Sequence, residues 1–394
     1  MLQIIRVYHY KGIGRSVRFD YLPCTELLTP PALKSSKREN SHLRHRPVSS
    51  PKSTSMPNKW FCFRQQKTLL RFPLLFMIVL IGLSFASRAQ QTPPGKKDSA
   101  ALFAAIRSGS TAELKRQLAN GSHANDMYGG YSALMVAALD GTAEQMKVLI
   151  EQGAAVNYAD QDSVTALWFA IPDMEKTKLL LDHGADASLH SKEGYNILVK
   201  LAFMPGTYDV FKMLVDKGAD PKKSAPDNLL LYNAAASGDT AILGLLIRSG
   251  LPVNDTVAFG DYPINATMAY RTFGTLKMLV DNGANVNAVP KSVFGLIPLA
   301  GSTPLMFAGL YNAPQSFFYL LEHGADANKQ NNRGYTALMM LQQSENDDPA
   351  MTAALIEHGA DPGFTAPDGT NALYYALQKG NTKSVELLKK HLNK

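Results

Sequence analysis

Two cysteines, Cys24 and Cys62, occur in 394 residues, and none follows them. Residues 63–394 therefore hold no disulfide framework, no cysteine nucleophile and no zinc–cysteine set. Also missing are a G-x-x-x-x-G-K-[ST] phosphate loop, a G-x-G-x-x-G turn after a strand, an H-E-x-x-H pair and a G-x-S-x-G elbow. Those absences remove the common nucleotide-binding, zinc-protease and serine-hydrolase chemistries. Basic charge is scarce where a nucleic-acid binder would need it. The formal charge of the chain is +7, yet residues 1–89 hold 15 basic against three acidic residues, and residues 90–394 hold 25 basic against 30 acidic. A mildly acidic body without a basic stripe argues against nucleic acid, whose capture depends on phosphate neutralisation. The strongest apolar run, Phe72 to Ala86, is 15 residues long, shorter than the ~20 that a spanning helix prefers.

That run has neighbours that explain it. Lys59, Arg64, Lys67 and Arg71 precede it, and Ala86-Ser87-Arg88-Ala89 follows with small residues at both positions of an A-x-A site. The arrangement predicts a secretory signal peptide over 56–89, cut after Ala89, with an uncleaved anchor through 72–86 as the alternative. Met56 stands directly before it, so residues 1–55 are read as a start-site artefact, or else as a disordered basic tail. Gln90 follows the cut, so no lipidated cysteine is expected, and residues 90–97 form a polar linker. The expected location is exported, periplasmic or secreted.

From residue 98 onward one pattern recurs. In YSALMVAALDGTAEQMKVLIEQGAAVN (131–157), Ser132 predicts a helix N-cap, and Ala133, Leu134, Ala137 and Ala138 share one face of a short helix,. Gly141 ends it. Glu144 suits the first turn of the next helix, and Met146, Leu149 and Ile150 form its buried stripe,. Gly153 supplies a left-handed stop, and Asn157 heads a polar turn. Such a pair has no core of its own and must stack on copies of itself. The matching glycines, Gly153, Gly184, Gly218, Gly250, Gly283, Gly324 and Gly359, are spaced by 31, 34, 32, 33, 41 and 35 residues.

The helix starts read SALM (132–135), TALW (165–168), TPLM (303–306), TALM (336–339) and NALY (371–374). The ends read LLDHGAD (180–186), MLVDKGAD (213–220), LLEHGAD (320–326) and LIEHGAD (355–361). In both halves the chain resembles the ankyrin repeat family over about 290 residues. The resemblance implies an all-α solenoid of about nine helix-turn-helix units with short β-hairpin-like turns, spanning 98–394. The family's histidine at the helix start is replaced by Met135, Trp168, Val199, Met306, Met339 and Tyr374. Its hydrogen bonds must be absent or met by other groups. Trp168 and Tyr374 are read as packing residues.

The units are uneven. Asp98 to Asn125 reads as an N-terminal cap, and Lys383, Lys389 and Lys390 mark a C-terminal one. Pro172 is expected to end a first helix early, Met204-Pro205-Gly206 marks a turn, and Gln342 to Pro349 is a long acidic connection,. The insertion Pro290 to Gly301 is apolar, and either packs down over the helix ends or takes part in binding. His183, His323 and His358 recur one residue before a terminal glycine, a repeat or more apart, so they are read as solvated helix ends rather than a metal set. Asp186, Asp220, Asp326 and Asp361 are read as turn formers.

No catalytic residue, metal or cofactor is assigned. The resemblance implies partner contacts from the turn tips before each first helix. Tyr131, Tyr195 and Tyr335 stand directly before the N-cap there, and Lys192, Glu193 and Arg333 lie at the tips. Large amphipathic side chains suit recognition; the alternative is that each ring covers its own hairpin. The expected function is a non-catalytic protein-protein interaction module that binds a partner protein through its concave face. Alternatives are a small-molecule binder using the same groove, or a hydrolase near 290–301. A membrane contact is expected only if the signal segment stays uncleaved.

Overall fold

Two physical requirements repeat along the chain: each short helix must have its ends satisfied, and each pair must bury its apolar face on the next. The computed structural model describes residues 97–225, 227–290 and 300–393. The expected signal peptide (56–89), the stretch before it (1–55), the linker up to residue 96 and residues 291–299 of the insertion lie outside the described residues. Lys97, placed in the linker on sequence grounds, belongs to the first helix.

Among the described residues nine helix pairs follow one another. Unit 1 is α1 (Lys97–Arg107) with α2 (Thr111–Ala119), unit 2 is α3 (Ala133–Asp140) with α4 (Ala143–Glu151), and unit 3 is α5 (Ala166–Ala170) with α6 (Met174–Asp182). Unit 4 is α7 (Ile197–Ala202) with α8 (Tyr208–Asp216), unit 5 is α9 (Leu229–Ser237) with α10 (Thr240–Arg248), and unit 6 is α11 (Pro263–Tyr270) with α12 (Phe273–Asp281). Unit 7 is α13 (Pro304–Leu310) with α14 (Pro314–Glu322), unit 8 is α15 (Ala337–Gln342) with α16 (Pro349–Glu357), and unit 9 is α17 (Ala372–Lys379) with α18 (Thr382–Leu392). The turn between units 1 and 2 is a two-stranded antiparallel hairpin, β1 (Met127–Tyr128) and β2 (Tyr131–Ser132). Single bridges, His190 to Asn196 and Thr365 to Asn371, stand in for it before units 4 and 9.

Helix starts use the groups the sequence offers. The hydroxyls of Ser132, Thr303 and Thr336 accept from the N–H of Met135, Met306 and Met339, and Asn371 Oδ1 accepts from Tyr374 N–H. In these four units the residue in the family's histidine position thus meets the cap through its backbone, which any side chain allows. Helix ends use glycine: all seven terminal glycines have positive φ, from 80° at Gly153 to 108° at Gly218, a region that L side chains rarely occupy. Gly141 is needed for a different reason. Its φ is ordinary, but a Cβ there would stand 2.6 Å from Gln145 Oε1.

Stacking makes the core. Second helices pack on second helices at every step from α2 to α18, and first helices do the same, most thinly from α5 to α7. Between them run Leu102, Leu134, Leu167, Leu198, Ile264, Leu305 and Leu338, with Phe103, Phe211 and Phe317 among the largest wholly enclosed side chains. The small face Ala234-Ala235-Ala236 lets α9 lie close to α11.

A row of asparagines ties successive units. Asn125 Nδ2 donates to Gly153 O and its Oδ1 accepts from Ala155 N–H, at 2.9 and 2.7 Å. Asn157, Asn254, Asn287 and Asn328 repeat both bonds one unit on, to Gly184, Gly283, Gly324 and Gly359 and from Asp186, Asn285, Asp326 and Asp361. One side chain thereby satisfies two backbone groups that the glycine stop leaves open. At the same place units 3 and 4 carry Ser188 and Lys222.

Candidate interaction surface at the turn tips

The tips lie on one edge of the stack, each held by its own short-range bonds. Asp160 Oδ1 accepts from the N–H of Asp162 and Val164, and Asn331 Oδ1 accepts from those of Arg333 and Tyr335. Neighbouring tips are joined through the backbone, Lys192 N–H donating to Asp162 O at 3.0 Å and Asn332 N–H to Ala300 O at 3.0 Å. A rigid row of tips is a suitable base for recognition.

The six residues expected to meet a partner occupy three kinds of place. Lys192, Glu193 and Arg333 are exposed at the tips of units 4 and 8. Tyr131 and Tyr195 are half-buried; burial, with help from Asp227 and Glu193, raises the Tyr195 phenol above its ordinary range. Tyr335 is taken inside. It is 6 % exposed, its hydroxyl donates to Asp368 at 2.6 Å, and Tyr375 Oη donates to it at 2.9 Å. Burial first, then these bonds, push its pKa far up.

The rings of Tyr131 and Tyr335 share a geometry that sequence reasoning missed. Tyr131 meets Phe169 edge-on at 5.8 Å, and Tyr335 meets Tyr375 likewise at 5.8 Å. Each aromatic partner sits four residues past the N-cap of the following unit. These tyrosines therefore staple one unit to the next, beyond covering their own hairpin.

Other tip residues are freer. Met127, Tyr158 and Leu189, on the tips before units 2, 3 and 4, are 37, 38 and 39 % exposed. Among the described residues, the other exposed large apolar side chains are Leu139 and Met174 in units 2 and 3, and Tyr374, Leu377 and Leu392 in unit 9. The described residues between 190 and 373 add none. Aligning the repeats on the terminal glycine would have found two of them: Tyr158 and Leu189 fall five residues past it, where units 4, 5 and 7 have Lys223, Asp255 and Lys329.

The recurring polar residues are accounted for locally. The Nδ1 atoms of His183, His323 and His358 lie 2.8, 2.7 and 2.8 Å from the carbonyl oxygens of Leu179, Tyr319 and Ala354. With Nδ1 protonated, each ring closes the end of its own helix. Asp186, Asp220, Asp326 and Asp361 each accept from the N–H two residues on, the bond of a side-chain turn. For Asp186 that bond and the Ser188 hydroxyl lower the carboxyl pKa. Among the described residues no group of three His, Cys, Asp or Glu side chains could hold a metal ion. A pocket at the boundary of units 3 and 4, lined by Ser163, Thr165, Trp168, Asp186, Ser191 and Ile197, has an interior of about 20 Å³, room for one water.

Comparison with known proteins agrees with this architecture. The family model for "Ankyrin repeats (3 copies)" matches residues 101–188, 134–225, 231–331 and 305–394. Rabankyrin-5 of Homo sapiens is 26 % identical over 249 residues, 57 % of this chain and 20 % of that protein. The human transient receptor potential cation channel subfamily A member 1 is 24 % identical over 298 residues, 65 % of this chain and 26 % of the channel. The Caenorhabditis elegans ankyrin repeat and KH domain-containing protein mask-1 is 27 % identical over 267 residues, 65 % of this chain and 10 % of that protein. The chain thus spans between a tenth and about a quarter of the length of these relatives. With helix pairs stacked in register and family matches running from 101 to 394, the chain belongs to the ankyrin repeat family and is built as a protein-interaction module.

Proposed function

We propose that the chain is an exported, non-catalytic adaptor that holds a partner protein along its turn tips, with units 1 to 4 as the principal contact. The observation that carries this reading is the distribution of exposed apolar side chains. Met127, Tyr158 and Leu189 succeed one another on three adjacent tips, followed by the charged pair Lys192 and Glu193, while the described residues of units 5 to 8 expose no large apolar side chain. An apolar row beside charge is the composition of an interface centre and its rim. Tyr131 and Tyr195 support that row from below. Arg333 adds a polar contact at unit 8, and Tyr335 fixes the tip that presents it. Support for export comes from the basic, apolar and small-residue pattern of 59–89,. A small-molecule role has less support, since the pocket described above admits a single water. The insertion at 291–299 lies outside the described residues and supports neither that role nor a hydrolase.

The test compares two variants on the same prey. Met127→Ser, Tyr158→Ser and Leu189→Ser together should abolish capture of a protein that the unmodified chain retains from an envelope extract. Lys212→Ser with Lys277→Ser, on second helices away from the tips, should leave capture intact. Equal retention by both variants refutes the tip surface. Mass spectrometry of the purified product should find Gln90 at its N-terminus, and a product that retains residues 56–89 refutes cleavage.

A further inference from the structure

The boundary between units 3 and 4 departs from its neighbours in four independent ways. First, α5 has five residues and ends two before Pro172, and its N-cap Thr165 makes no side-chain cap bond. Second, α5 and α7 run less closely along one another than any other pair of successive first helices. Third, the asparagine that would clamp the unit 4 loop is Ser188. Its hydroxyl turns back to Asp186 Oδ1 at 2.6 Å, out of reach of the next unit. Fourth, the space left between the first helices is the small pocket with half-buried Trp168 on its wall.

The polar links across this boundary are few. Lys200 Nζ donates to Trp168 O at 2.9 Å and lies 5.7 Å from the indole centroid. Lys217 and Asp182 form an exposed ion pair at 3.5 Å, of a kind that contributes little. Lys192 N–H reaches Asp162 O at the tips. The second helices α6 and α8 stay packed. The next boundary also lacks its asparagine, with Lys222 in place, but α7 and α9 are packed there. Asn233 Nδ2 donates to Val199 O at 3.2 Å, and Asn196 N–H to Ser224 O at 2.8 Å.

We propose that the boundary of units 3 and 4 is a hinge: α5 and α7 part while α6 and α8 keep contact. The block of units 1–3, which carries the apolar tips of Met127 and Tyr158, then swings against the block that follows, which carries Leu189. Lys200 on Trp168 O is the latch of the closed form. A hinge placed where packing and hydrogen bonds are fewest costs least to open. It stands on the seam geometry alone and does not depend on the identity of any partner.

Restoring the missing clamp tests it. The backbone at Ser188 accepts an asparagine, because Ser188 N–H bonds Asp186 Oδ1 just as Asn328 N–H bonds Asp326 Oδ1. Amide hydrogen exchange on the full chain should show α5 and α7 exchanging tenfold or more faster than α13 and α15. Ser188→Asn should slow α5 and α7 severalfold and leave α13 and α15 unchanged. Simple fraying of the short α5 would not respond, since Ser188 lies on the tail of unit 3. Fluorescence gives a second readout. The chain has two tryptophans, so in a Trp60→Phe background acrylamide quenching of Trp168 should fall when Ser188→Asn is added. Equal exchange in the two helix pairs, no response to Ser188→Asn, or faster exchange throughout the chain would each overturn the hinge.

Discussion

Between units 8 and 9, side chains cross from both layers and from the tip. Tyr335 binds Asp368 and receives the Tyr375 hydroxyl, Asn381 Nδ2 donates to Gln342 O at 3.3 Å, and the buried hydroxyls of Thr352 and Ser384 meet at 3.0 Å. Asp347, from the long connection of unit 8, accepts from Lys383 N–H, Ser384 N–H and Ser384 Oγ and so caps α18. Between units 3 and 4 the crossing is left to Lys192, Lys200 and Lys217. The two boundaries come from one repeat pattern, and the difference lies in residues that the pattern leaves free. In a solenoid each boundary contributes its own stability, so a chain can be stiff at one boundary and loose at another without any change of fold.

The largest expected effect comes from replacing tip tyrosines. Tyr335→Ser should cost about 3 kcal/mol, since it empties a buried aromatic site and leaves Asp368 and Tyr375 without their partner. Tyr195→Ser, half-buried, should cost about 1 kcal/mol or less. Denaturant unfolding followed by local amide exchange reads both, and equal losses would mean the two tips are held alike.

Next in size is the cap on the last helix. Asp347→Ala should cost about 1–2 kcal/mol and loosen α18 first, as measured by amide exchange in 382–392.

Among the asparagines, Asn287→Ala removes two hydrogen bonds and should cost about 1 kcal/mol at the boundary of units 6 and 7. Ser188→Ala should cost near zero across the unit 3 and 4 boundary, because its hydroxyl stays within its own turn. A comparable loss from Ser188→Ala would erase the distinction.

A smaller effect comes from Lys200. Burial lowers its pKa from the ordinary 10.5 to about 8. Between those values the unfolded chain binds the proton and the folded chain does not, so stability rises with pH across the window. Thermal melts from pH 7 to 10 should show this increment in the native chain and lose it in Lys200→Met.

Smallest of all, Lys192→Ser with Arg333→Ser should leave stability within about 0.5 kcal/mol, as befits exposed tips.

Much of the fold was legible because short-range chemistry fixes it. Ser132 before an apolar face, Gly153 after one, and Pro172 between a first helix and its second each act within a turn or two. The histidines and aspartates near the terminal glycines were also readable as local structure. Asn157 was read as a turn former, yet its amide serves the next unit, and the asparagine row appears only when units are stacked. The tip tyrosines were legible as positions and not as roles. Tyr131 and Phe169 are 38 residues apart and Tyr335 and Tyr375 are 40 apart, and unequal connections hide their common place relative to the N-caps. Met127, Tyr158 and Leu189 escaped notice because an apolar residue in a turn says nothing of its exposure until its neighbours are placed.

The sequence by itself determined the unit: where helices start and stop, which face is apolar, and that the unit needs copies of itself. Tertiary structure decided which copies grip their neighbours firmly and which apolar tips stay in water. Those outcomes depend on contacts between residues about 30 to 40 positions apart, whose strength follows from distance and burial rather than from the repeat period.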